Sequence, residues 1–132
     1  MKRPLEMAQR WFRQAEHDLE MARRLEEESA ADACYFAEQA AQKGLKAFLY
    51  RRGSWVQPEH SIRLLAEKCE QEDGSFQSGA ERWKVLDQYY IPTRYPDALA
   101  DPAVPFESYS VEQAKDAIAL ASEILELVRK KL

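Results

Sequence analysis

The segment Tyr89-Tyr90-Ile91-Pro92-Thr93-Arg94-Tyr95-Pro96-Asp97 holds the densest chemistry in the chain. Arg94 lies between two prolines, whose rings restrict the backbone on either side of it. Tyrosines surround it, and a carboxylate follows three places on. A guanidinium suits bidentate contact with phosphate, and tyrosine rings offer stacking faces to bases. Arg94, Tyr95 and Asp97 are therefore candidate contacts for a nucleotide or RNA. The structural alternative is that Arg94 and Asp97 staple this loop to the body of the protein.

A second group lies upstream. Tyr35, Gln39, Gln42 and Lys46 follow one another at helical spacing, with Lys43 beside them. The plain reading is a solvated helix face; the functional one is a lysine pair, Lys43 and Lys46, that meets a phosphate or an acidic partner. Asp18 interrupts the apolar series 11, 15, 18, 22, 25. A carboxylate there is costly unless paired, so a structural ion pair or hydrogen bond is expected. His60 precedes Ser61, but adjacent side chains rarely form a nucleophile and its base. Ser61 reads better as a helix cap. Neither a Walker loop nor GxGxxG occurs, and no His/Cys/Asp cluster has metal-ligand spacing, so no metal or cofactor is expected.

These residues must be held by helices. Apolar residues recur at helical spacing over about 4–27, 30–52, 60–70, 79–90 and from 110 to the end. Pro4 suits a first helical position, and Arg51, Arg52 and Gly53 suit a helix end. The second stripe, Ala33, Phe36, Ala37, Ala40, Ala41, Gly44, Leu45 and Phe48, is mostly small, which places that helix at the centre of a bundle. Gly53–Glu59, with Trp55 and Pro58, reads as a loop. Four of the six prolines fall in Ile91–Tyr109, which forbids a regular helix there. Tyr95, Phe106 and Tyr109 are expected to pin that segment. Ser110-Val111-Glu112-Gln113 is a capping box. The last helix carries an extra-wide apolar stripe through Ala117, Ile124 and Leu127, fitting either a dimer face or a helix wedged between two neighbours. The expected architecture is all-α: an antiparallel bundle of about five helices, one domain over residues 1–132, with a long Pro-rich loop before the last helix.

The totals agree with one ordinary globular core: 45% apolar and 32% charged residues in 132. A formal charge of −4 excludes a general positive field, so any nucleic-acid contact must be local. The N-terminus has no apolar signal region and no run approaches membrane-spanning length, which points to the cytoplasm. Cys34 and Cys69 read as reduced, half-buried packing residues.

Four segments resemble the HEPN family (higher eukaryotes and prokaryotes nucleotide-binding domain). Ala15-Glu16-His17-Asp18-Leu19 with Ala22 is similar to the family's opening helix. Ala37-Glu38-Gln39-Ala40-Ala41-Gln42-Lys43-Gly44-Leu45-Lys46-Ala47 is similar to its second, although Gln42 stands where the family more often has Glu. Pro58-Glu59-His60-Ser61-Ile62 with Leu64-Leu65 resembles its His-Ser/Thr-Leu/Ile segment, and Arg94-Tyr95-Pro96-Asp97 the Arg-Tyr-Pro-Asp signature of one bacterial and archaeal branch.

By analogy, the resemblance implies a helical bundle that forms a homodimer and pairs with a small nucleotidyltransferase, often as a toxin–antitoxin system. It also implies two classes of function. Many members are metal-independent ribonucleases that use an Arg, four to six residues, then a His. No His follows Arg94, and Arg10 with His17 has that spacing only on the first helix. The leading expectation is therefore a non-catalytic nucleotide- or RNA-associated module facing its ligand with Arg94, Tyr95, Asp97, Lys43 and Lys46. The alternatives are an atypical ribonuclease, with Arg94 as phosphate ligand and His60 as acid or base, and a purely structural dimerisation module.

Overall fold

The computed structural model describes residues 3–54 and 58–132. Within them lie five α-helices: α1 (Pro4–Leu25), α2 (Ala30–Arg51), α3 (Ile62–Glu72), α4 (Gly79–Trp83) and α5 (Val111–Arg129). No strand occurs among the described residues. The chain is all-helical, as its periodicity requires. Trp55 of the expected loop lies outside the described residues.

Local chemistry sets the helix ends. Pro4 occupies the first turn of α1, where a missing N–H costs nothing. Gly53, just past α2, has φ +82°, a left-handed conformation that terminates the helix and that a side chain would strain. Ser61 accepts the Leu64 N–H and so caps α3, as its position predicts. At α5, Ser110 and Gln113 exchange both bonds of the capping box.

α2 lies at the centre, in contact with α1, α3 and α5. Its buried alanines let neighbours approach closely. Gly44 is the tightest point: a Cβ there would stand 2.8 Å from Leu125 Cδ1 on α5. Phe48 packs on Phe76, and Phe76 meets the edge of Trp83, which carries the core beneath α3 and α4. The wide stripe of α5 is consumed inside the bundle: Ala117, Ile124 and Leu125 are buried, and Leu127 packs against the core. The wedged-helix reading of that stripe is the one observed. Cys34 and Cys69 are free and wholly buried, deeper than the half-burial expected from sequence.

Two other expectations change. The fourth helix does not run from 79 to 90. It stops at Trp83 and tightens into a 3-10 helix over Lys84–Tyr89. The tighter winding brings Asp87 to the N-terminus of α3, where it accepts from the Ile62 and Arg63 N–H groups and from the Ser61 hydroxyl. The Pro-rich segment contains two single 3-10 turns, Pro96–Ala98 and Pro105–Glu107, each begun by a proline. Of its three aromatic residues only Tyr109 pins it, edge-on to Tyr89. Tyr95 is 57% exposed and Phe106 74% exposed. No helix among the described residues is long and apolar enough to cross a membrane.

Candidate functional site

The site is built on α2, from a carboxyl group buried inside the bundle. Cys34, Ala41 and Leu45 face the core, and Glu38 falls one turn after the first of them, on the same face. It is completely buried. A buried carboxylate must be satisfied by donors. Gln39 Nε2 donates to one oxygen at 2.8 Å and Gln42 Nε2 to the other at 2.9 Å. Burial still dominates: it raises the Glu38 pKa from 4.5 to about 7, against the opposing pull of those two amides.

Gln42 carries the network outward. With its amide nitrogen turned to Glu38, its oxygen faces the other way. That oxygen accepts from Lys46 Nζ at 3.2 Å and lies 3.2 Å from His60 Nδ1. An amide oxygen can only accept, so Nδ1 is the donor in this contact. Lys46 is buried too; burial lowers its pKa, and Glu38 and Glu59 oppose that. Its ammonium also stands over the Trp11 ring, 5.5 Å from the centroid.

Outside this buried acid runs a strip of rings. His60 stacks on Tyr90, with centroids 5.0 Å apart and planes 25° from parallel. Burial raises the Tyr90 pKa, and the nearby Glu38, Tyr35 and Tyr95 raise it further. Arg94 closes the strip, its guanidinium carbon 3.7 Å from the Tyr35 ring centroid and its Nη1 donating to Asp32 at 3.1 Å. His60 and Arg94 are both exposed, one at each end. Stacking and one ion pair leave other guanidinium N–H groups unused, so the strip can stack planar groups and donate to an oxyanion.

The other candidates fall as follows. Arg94 does fasten the Pro-rich segment to the bundle, but through Asp32 and Tyr35 of α2 rather than through Asp97. Asp97 makes no hydrogen bond or ion pair among the described residues, and Tyr95 stands exposed beside it. Lys43 and Lys46 do not act as a free pair. Lys43 binds Asp18 at 2.5 Å, and Gln14 donates to the same carboxylate, giving Asp18 the partners its burial demands. Ser61 is occupied in capping α3 and by Asp87, and makes no bond to His60. His60 and Arg94 do not touch within the chain; Tyr90 and Tyr35 lie against them, one each.

Of the band Tyr35, Gln39, Gln42 and Lys46, whose plain reading is a solvated face, Gln42 and Lys46 are buried, and Glu38, quoted only in the family resemblance, is the group they adjoin. The missed signal was spacing: position 38 belongs to the same apolar series as 34, 41 and 45. Asp87 gave no signal, because its partners lie 24 to 26 residues away in sequence. Among the described residues no cluster of three or more His, Cys, Asp or Glu is placed to hold a metal ion.

Comparison with known proteins gives a consistent result. The HEPN domain family model matches residues 8–131. The fold is similar to the crystal structure of TT1696 from Thermus thermophilus, with a TM-score of 0.86 and 37% identity over 95% of this chain and 98% of that one. It is also similar to ST0689, an archaeal HEPN homologue, with a TM-score of 0.71 and 32% identity over 98% of each chain. No curated protein matches the sequence.

Proposed function

The chain belongs to the HEPN domain family, and from that premise we propose that it is a dimeric, non-catalytic module that associates with a nucleotide or RNA and pairs with a small nucleotidyltransferase, in a toxin–antitoxin-like arrangement. The observation that carries the ligand half is Arg94, its guanidinium carbon over the Tyr35 ring at 3.7 Å, with donors to spare. Tyr90, Tyr95 and His60 extend the stacking surface on either side. The partner half rests on the family alone.

This reading is favoured over an atypical ribonuclease because acid–base and phosphate groups must meet at hydrogen-bond range, and His60 and Arg94 are not in contact within one chain. The test is co-expression with the neighbouring genes, followed by affinity purification and light scattering. A dimer that carries a nucleotidyltransferase with it is the expected result. A monomer that purifies alone, with or without its neighbours, overturns the proposal.

A further inference from the structure

The exposed side of α1 carries Arg10, Arg13, Gln14 and His17, spaced so that all four share one face. With Trp11 and with Lys43 of α2 they line an open groove of about 810 Å³. Its charge is uncompensated. Among the described residues Arg10, Arg13 and His17 make no ion pair or hydrogen bond, whereas other arginines of this helix are engaged, Arg24 with Glu20 and Arg23 with Ser122. Of the nearby acids, the buried Asp18 is held by Lys43 and Gln14, and Glu6, which lines a shallow pocket with Arg10 and Arg13, is paired with Arg3. In a chain of net charge −4, two free guanidinium groups one turn apart form a local positive site.

Trp11 supplies the second component. Its half-buried ring is fixed by Tyr50, 5.4 Å away between centroids, and by Lys46 above it. Lys46 also bonds Gln42, which faces His60, so the groove is continuous with the polar network on α2. Guanidinium groups beside an aromatic ring match a strand whose phosphates are regularly spaced and whose bases are free to stack. An acidic peptide would satisfy the arginines but leave the indole unused.

We propose that this groove binds the phosphodiester backbone of single-stranded RNA, with Arg10 and Arg13 on phosphates, His17 as a further donor and Trp11 against a base. The proposal rests on the RNA-associated reading above and gives it a second contact surface, on α1. The test is fluorescence anisotropy with labelled single-stranded RNA of about 12 nucleotides, over a range of salt. Arg10→Ala and Arg13→Ala should each weaken binding several-fold and reduce the log–log salt slope by about 0.7. Arg10→Glu with Arg13→Glu should abolish binding, and Arg63→Ala, an exposed arginine on α3, should leave it unchanged. The Arg10 and Arg13 side chains make no ion pair or hydrogen bond among the described residues, so matched unfolding midpoints are expected for their alanine variants. If the α1 variants bind as tightly as the unaltered chain while Arg94→Ala does not, the groove is wrong and the RNA reading survives. If the unaltered chain binds no RNA, both fall. If polyglutamate displaces the RNA at equal charge concentration, the ligand class is wrong.

Discussion

At position 38 a carboxyl group is sealed inside a helical core with only two amides to receive its charge. Its pKa of about 7, against 4.5 for an ordinary glutamate, means that the folded chain keeps this proton where the unfolded chain has lost it. Below pH 4.5 both states are protonated and the group contributes no pH dependence. Between 4.5 and about 7 the folded state binds more protons, so stability falls as pH rises, by up to about 3 kcal/mol. Urea unfolding of the unaltered chain should therefore show a downward drift from about pH 5 to about pH 8 that Glu38→Gln removes. An equal drift in the variant would assign the pH dependence to other groups. Asp18 contrasts with this. Its place in an apolar series was legible, and so was its need for a partner. That Lys43 supplies the partner was not, because periodicity assigns a residue to a face and says nothing of what the neighbouring helix presents there.

The helices themselves were legible, within two or three residues at most ends, because small and apolar residues recur at one helical period over long stretches. The passage from α4 into a 3-10 helix was not. Over so few residues the periods of about 3.0 and about 3.6 select nearly the same positions, and only the distant N-terminus of α3 rewards the tighter form. Packing between elements gives a sharper forecast. Gly44 meets Leu125 and Ile124 on α5, and a Cβ would press on Leu125 at 2.8 Å. Gly44→Ala sets a helix-propensity gain of about 1 kcal/mol against the displacement of a flexible side chain. Gly44→Val adds two methyl groups to the same contact and should destabilise by about 2 kcal/mol, read as a lower denaturation midpoint. Unchanged stability in the valine variant would mean that α2 and α5 do not approach as closely as they do in this structure.

Across the whole molecule, composition disclosed the class of fold but concealed the charge distribution. A net charge of −4 is a sum, and it hides a face of α1 on which Arg10 and Arg13 make no ion pair among the described residues. The spacing of Arg10 and His17 was visible, yet the groove depends on where Trp11 and Lys43 sit once α1 lies against α2. The placing of α2 at the centre was legible from its alanines. The same burial gives the molecule a further property. Cys34 and Cys69 have no exposed surface, and burial pushes the Cys34 thiol up to about 12 and the Cys69 thiol higher still. The Cys69 thiol also lies 3.7 Å from the Leu45 carbonyl oxygen. A thiol in that state is inert until the core around it opens. Alkylation by an excess of reagent should therefore proceed no faster than unfolding, and both sulfurs should be consumed together, at a rate that climbs with urea. A rapid burst from one of them in native buffer would reveal a lesser opening of α2 against α3. With no label added, the chain thus carries two chemical timers of its own breathing.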